Sequence, residues 1–266
     1  MPSLGGFNRV LDLSQDFSMH SPAFAGYLGP QIRWIKRLAF DKGGGQEMLT
    51  TMHVSTHLDS PAHFLSGGKF IGDMPIDWLV GPACVVDLEK LGLGDYDVYG
   101  PEHFEQWERD TGITIEPHDI LIIHTGYHRH YPENWADRSE TDETKYFVRH
   151  PGPGRAFAEW VLERKIRWIA VDAGSADHPM NTIIRRIRPD EAAKAEQSLG
   201  ASLDDVFPEE DYQVMHIRLF PSDVIHVENL GGDIDQVLDQ RIMFGCFPWR
   251  FMGGEAAMCR CVAFLD

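Results

Sequence analysis

Cysteine is scarce: four residues in 266, Cys84, Cys246, Cys259 and Cys261, with no CxxC pair. So few cannot form a disulfide framework, and Cys259 and Cys261, alternating in an apolar run near the C-terminus, read as buried strand thiols. Positive charge is also short. Lys and Arg number 24 against 41 Asp and Glu, a formal net charge of −17, so the overall field repels a phosphate backbone and an anionic membrane and excludes nucleic acid as a partner. No apolar stretch approaches the ~20 residues of a spanning helix, and the N-terminus lacks a basic region followed by an apolar one; both predict a cytoplasmic protein with no membrane partner. Absent too are an internal repeat, a low-complexity linker, a GxSxG elbow and a glycine-rich phosphate loop. Gly43, Gly44 and Gly45 have no Lys-Ser/Thr ending and read as a turn or a mobile lid.

What is present is ordinary globular material, 43% hydrophobic and 24% charged, with no composition shift that marks a boundary, so residues 1–266 read as one domain. Short apolar runs bounded by Gly, Pro, Asp or Asn predict strands at Val10 to Leu13, Ala83 to Leu88, Ile120 to His124, Trp168 to Asp172, Val224 to Val227 and Met258 to Leu265. The clearest helix is Gly154 to Arg164, with Phe157, Trp160 and Val161 on one face after a Pro-Gly-Pro start, leading into the strand WIAVDAG. Helix followed by buried strand predicts an α/β layered fold. Strands outnumber convincing helices, which points to a mixed sheet with flanking helices. The polar, aromatic-studded stretch Tyr127 to Glu143 reads as a long surface insertion. Within the second polar stretch, Arg185 to Glu210, the segment PDEAAKAEQSLG predicts a short helix ended by Gly200.

The 13 histidines are unevenly placed. Residues 53 to 64 read HVSTHLDSPAHF, setting His53, His57, Asp59 and His63 in an HxxxHxDxxxH array. Imidazole nitrogen and carboxylate oxygen suit Zn, Mn, Fe or Ni, and three such ligands leave open positions for water and substrate. A spacing of four would put His53 and His57 on one helical face, but Val, Ser and Thr between them and Asp-Ser-Pro beyond disfavour a helix. A strand followed by a tight turn is expected, with His57 and Asp59 on one face. Farther on, His216, His226 and Glu228 lie close together, Glu228 ending the apolar run VIHV. A buried carboxylate there needs a cationic partner, either a metal or an arginine. His226 and Glu228 share a strand face, so one of them could instead orient a ligand, and His226 competes with His216 for the ligand role.

At this level of detail the sequence resembles the cyclase family of metal-dependent hydrolases, which includes kynurenine formamidase, isatin hydrolase and trans-dienelactone hydrolase. The family pattern HxGTHxDxPxH is met by His53, Thr56, His57, Asp59, Pro61 and His63, with Ser55 standing where the family usually has Gly. A second element, a histidine twelve residues before a glutamate that precedes Asn-Leu, is similar to His216 and Glu228-Asn229-Leu230. LDLSQ near the start and VDAGSAD at 171 to 177 are further landmarks. The resemblance implies a swivelling β/β/α cyclase-like fold, a homodimer or homotetramer, and one or two divalent metals, Mn2+ or Zn2+. It also implies that His53, His57 and Asp59 hold the first ion, that Asp59 bridges to a second held with His216 and Glu228, and that His63 is catalytic.

The chemistry expected of this constellation is metal-activated water attacking a carbonyl, with a histidine, His63, taking and returning the proton. Phe24, Tyr27, Trp34, Phe40, Phe64, Phe70 and Trp78 offer aromatic surface for a flat, cyclic or aromatic small-molecule substrate. The function expected is opening of a cyclic amide or lactone. Two alternatives stand beside it: an arylformamidase acting on a linear N-formyl arylamine, and a non-enzymatic binding protein stapled by its metal.

Overall fold

The computed structural model describes residues 6–133 and 137–266. Its strands are β1 (Arg9–Asp12), β2 (Gln31–Lys36), β3 (Gly45–Leu49), β4 (His57–Asp59), β5 (Val80–Asp87), β6 (Val98–Tyr99), β7 (Ile120–His124), β8 (Gly152–Pro153), β9 (Trp168–Val171), β10 (His226–Glu228), β11 (Gln240–Pro248) and β12 (Ala256–Leu265). The α-helices are α1 (Leu38–Asp41), α2 (Pro101–Thr111), α3 (Arg155–Glu163), α4 (Ile184–Ile187), α5 (Pro189–Leu199), α6 (Leu203–Val206) and α7 (Val214–Leu219).

The mixed α/β sheet with flanking helices is present, and it closes on itself. Its order is β1-β12-β11-β5-β7-β9-β10-β4, and β4 pairs back onto β12, making a seven-strand barrel with β1 alongside. β5, β7, β9 and β10 run parallel; β10–β4, β4–β12, β12–β11 and β11–β5 are antiparallel. Alternation sorts the side chains. Leu58, Ala83, Val85, Ile120, Ile122, Ala170, Val227 and Ala263 meet in the barrel core. Cys84, Val86, Leu121, Ile123, Ile169 and Val171 face outward and are covered by Phe104 and Trp107 of α2, Phe157 and Trp160 of α3, and Met215 of α7. Each fully buried Leu, Ile or Val contributes roughly 1.5–3 kcal/mol, which is why strands of three to five residues hold.

Every strand expected from the sequence is found, with β5 starting earlier at Val80 and β10 later at His226. α3 and α5 occupy the expected helices, and Gly200 ends α5 with φ of 65°. β11 and the β2–β3 hairpin were not foreseen; that hairpin takes in Gly45, so the triple glycine shapes a ribbon. Tyr127 to Glu143 is not a surface insertion throughout. Tyr127, His128, Tyr131 and Glu133 are buried, because the Tyr131 ring meets Tyr146 edge-on at 5.2 Å and His128 is bound to Asp172. Residues 137–140 are exposed, and 134–136 lie outside the described residues. The cysteines are free; Cys84, Cys246 and Cys261 are buried and Cys259 is half-buried. Among the described residues no helix is long and apolar enough to cross a membrane.

Candidate metal centre

β4 and β10 pair so that His57 lies opposite Glu228 and Asp59 opposite His226. With Leu58 and Val227 in the barrel core, His57, Asp59, His226 and Glu228 share the other face. Past Asp59, Ser60 is extended ahead of Pro61, and one 3₁₀ turn, Pro61–His63, brings His63 back toward the strand. The expected strand and tight turn are therefore present. Three non-glycine residues beside the site adopt left-handed backbone: Ser55 (φ 54°), Gln213 (φ 49°) and Asn229 (φ 62°). Such conformations cost of order 1–3 kcal/mol and need local support. At Ser55, where the family usually has Gly, the hydroxyl donates to the carbonyls of Gln15 at 3.2 Å and Asp16 at 3.1 Å.

Three imidazoles converge on two carboxylates. His57 Nδ1 donates to the Ser55 carbonyl at 2.9 Å, leaving Nε2 3.4 Å from Asp59 Oδ1 and 3.6 Å from Glu228 Oε2. His216 Nδ1 donates to Asp177 at 2.5 Å, leaving Nε2 3.6 Å from Asp59 Oδ2 and 3.7 Å from Glu228 Oε1. His53 Nε2 reaches Glu255 at 2.9 Å, leaving Nδ1 3.1 Å from Asp59 Oδ1. Each ring is thus fixed through one nitrogen by an acceptor and presents the other to the carboxylates, the arrangement by which proteins orient metal-binding histidines. Neutral rings held this way aim lone pairs at carboxylate oxygens, which only a proton or a metal cation between them stabilises. Asp59 sharpens the point: it is 1% exposed and neither of its oxygens accepts a hydrogen bond. An uncompensated buried carboxylate costs several kcal/mol, so the donor set fits a divalent cation.

The electrostatics agree. Burial disfavours a charged His53 ring, but Asp59 and Glu255 outweigh it and raise its pKa to about 11. Burial likewise opposes the charged His216, and Asp177 and Asp59 raise it to about 10. His57 is lowered to about 4 by burial. Burial and the Asp59 charge lift Glu228 to about 7; burial also opposes ionisation of Asp59, yet His53 and His57 hold it well below the usual range. The site carries more negative charge than its surroundings balance, and a metal cation would take the place of the protons.

All six residues singled out in the sequence, His53, His57, Asp59, His63, His216 and Glu228, are brought together here. His63 sits at the rim, its Nδ1 2.8 Å from Glu255 and its ring 4.3 Å from that of His53. Glu228 pairs with His57 and His216 and accepts from the Ala176 amide at 2.7 Å; among the described residues no arginine pairs with it. His226 is fully buried, its ring 4.9 Å from His216 and 4.6 Å from Phe220, with neither nitrogen hydrogen-bonded.

Two participants were not identified from sequence. Asp177, which also accepts from the Met215 amide, sits in the landmark VDAGSAD; Glu255 had no local signal. A cavity of about 410 Å³ opens over the site, walled by Phe24, Tyr27, Phe64, Ile183 and Gln213. Tyr27 stacks on His53 at 4.9 Å. Of the other aromatics considered for substrate, Trp34, Phe40 and Phe70 are exposed away from that wall, and Trp78 packs on the barrel core.

The comparisons with known proteins point the same way. Residues 11–178, which contain the whole His53–His63 array and Asp177, match the Cyclase family model, described as "Putative cyclase". The kynurenine formamidase of Geobacillus thermodenitrificans (strain NG80-2) is 27% identical over 177 residues, 64% of this chain and 71% of the relative; that of Salinibacter ruber (strain DSM 13855 / M31) is 32% identical over 100 residues, 36% and 45%. Among solved structures, isatin hydrolase A from Labrenzia aggregata superposes with a TM-score of 0.75 at 18% identity, covering 97% of this chain and 93% of that one. An isatin hydrolase bound to the product analogue thioisatinate gives 0.75 at 19%, covering 99% and 94%. With the whole His53–His63 array and barrel strands β4, β5, β7 and β9 inside residues 11–178 of the match, the chain belongs to the cyclase family.

Proposed function

We propose that this protein is a metal-dependent hydrolase that opens a cyclic amide or lactone, with a divalent Mn2+ or Zn2+, one ion or two, held by His53, His57, Asp59, His216 and Glu228. The observation that carries the reading is Asp59, buried with neither oxygen hydrogen-bonded where three oriented imidazoles meet. When bound, the cation supplies a Lewis acid and lowers the pKa of water toward ~7. The protein's own residues do the rest. Asp177 and Glu255 fix the ring planes and tautomers of His216 and His53. Glu255 also holds His63 Nδ1, which leaves Nε2 as the nitrogen to take the proton from the attacking water and return it to the leaving nitrogen or oxygen. Phe64 lies edge-on to that ring at 4.7 Å and Tyr27 stacks on His53, and the two give a flat small-molecule substrate two apolar walls that keep bulk water out.

A second reading is hydrolysis of a linear N-formyl arylamine; the curated relatives, which bear the name kynurenine formamidase, favour it. The same residues serve, because formamide and cyclic amide present the same carbonyl to attack. We further propose a homodimer or homotetramer, supported by Trp34, Ile35, Leu38, Phe40 and Leu49, a cluster of apolar side chains left exposed around the β2–β3 hairpin. A side-by-side assay of isatin, a five-membered unsaturated lactone and N-formylkynurenine tests the substrate assignment. Faster turnover of either ring compound supports ring opening. Turnover of N-formylkynurenine alone overturns it in favour of the second reading.

A further inference from the structure

A second cluster lies at the C-terminal ends of the parallel strands. Asp87 ends β5, His124 ends β7, and Asp172 follows β9; His128 comes from the turn after β7 and Asp235 from the loop before β11. Carboxyl ends of parallel strands are where α/β sheets place ligands. His124 is fully buried and its Nδ1 donates to Asp87 at 2.8 Å, which fixes the ring and leaves Nε2 facing inward. That Nε2 makes no hydrogen bond, although it stands 3.4 Å from Asp235 Oδ1 and 3.8 Å from Asp172 Oδ2. His128, also buried, is 3.1 Å from Asp172 through Nδ1 and 3.3 Å from Asp235 through Nε2. Ligand atoms of His124, His128 and Asp172 all lie within 4.8 Å of one another. With Nδ1 as the ligand nitrogen of His128 and its Nε2 donating to Asp235, the 3.1 Å from Nδ1 to Asp172 and the 3.4 and 3.8 Å from His124 Nε2 to Asp235 and Asp172 bracket the separation of about 3.3 Å between atoms bound tetrahedrally at about 2.0–2.1 Å.

The surroundings are already structured for it. Asp172 is immobilised by the Thr125 and Gly126 amides and the Thr125 hydroxyl, at 2.7–2.8 Å. Asp87 on the far nitrogen of His124 is the carboxylate–histidine arrangement that orients a ligand. Half-exposed Asp235 opens onto a cleft of about 540 Å³ whose lining includes Asp12, Asp16, Glu140 and Asp233, an acidic approach for a cation. Lys90 and Arg129 touch the outer carboxylates Asp87 and Asp235, and among the described residues no lysine or arginine pairs with Asp172.

We propose that His124, His128 and Asp172, closed by Asp235, form a second divalent-metal site, separate from the hydrolytic centre, which ties the ends of β7 and β9 to the loop at Asp235. Two imidazoles and two carboxylates suit Zn2+, Co2+ or Ni2+. The test is equilibrium dialysis of the full-length chelator-treated protein against Zn2+, followed by elemental analysis. His128→Gln and Asp235→Asn, both less buried than His124, should each bind about one equivalent fewer than wild type with unchanged turnover at saturating metal. In an Asp59→Asn background, about one equivalent should remain, and adding His128→Gln should remove it. Equal metal content in wild type, His128→Gln and Asp235→Asn would overturn the proposal and leave two protonated imidazoles paired with carboxylates. An Asp59→Asn protein that keeps its full metal and activity would count against the hydrolytic centre alone, so the two readings fail separately.

Discussion

Each imidazole at the hydrolytic centre depends on a partner outside the carboxylate pair, and those partners can be removed singly. Asp177→Asn keeps the size of the side chain but removes the charge that holds His216 Nδ1 protonated; loss of such an orienting carboxylate typically weakens metal binding about 10- to 100-fold. Competition with a chromogenic chelator should read that loss while circular dichroism stays unchanged. His63 should behave differently. His63→Ala is expected to retain its metal and lose about 10²- to 10⁴-fold in turnover. A His63→Ala protein that turns over within a few-fold of wild type at all pH values would refute the proton-transfer role; one that also loses metal would move His63 among the ligands. The clustered residues were legible in the sequence because His53, His57, Asp59 and His63 fall within eleven positions. Glu255 was not, since 202 residues separate it from His53 and nothing about one glutamate after Gly-Gly signals a partner.

At the scale of elements, the site hangs on very short strands and a one-turn helix. α7, six residues carrying His216, is too short to display a helical period, which is why it went unread, whereas α3 and α5 announce themselves by apolar spacing and a terminal glycine. β11 was hidden by Gly245 and Pro248 within its span and by two exposed residues at its start. The entry of the chain into β4 is the sensitive joint. Ser55→Val would place a β-branched side chain at φ of 54° and delete both hydroxyl bonds to Gln15 and Asp16. We expect a loss of about 1–3 kcal/mol in chemical denaturation. Ser55→Gly, free of steric cost at that φ, should lose less; if Ser55→Val were as stable as wild type, the left-handed entry would not be under strain.

For the molecule as a whole, closure of the sheet could not be read from any one segment. β12 serves three neighbours, β11 on one side and β4 and β1 in succession on the other, and only the full register shows that the ring is complete. The fold also carries an acid liability away from the proposed metal ligands. His178 donates through Nε2 to the Tyr96 carbonyl at 3.0 Å and accepts the Met180 amide on Nδ1 at 3.0 Å, so a second proton has no place; burial lowers it to about 3. His150 is lowered to about 4 by burial. Because these folded-state values lie below the unfolded one near 6.5, the unfolded chain binds protons that the folded chain refuses. The stability they confer is whole above pH ~6.5 and falls as the pH drops toward 4 and below. Denaturation midpoints should decline over that window, and less steeply in His150→Phe; an identical slope in that variant would show that His150 is not responsible.

The proposed hydrolysis requires a metal held around Asp59. The most direct measurement is turnover of isatin and N-formylkynurenine by chelator-treated protein before and after Mn2+ or Zn2+ is restored, in wild type and Asp59→Asn, with metal content determined on the same samples. Wild type should lose its activity with its metal and regain both, while Asp59→Asn should regain no activity and bind less metal. Undiminished hydrolysis by metal-free wild type, or wild-type metal content and rate in Asp59→Asn, would contradict that requirement.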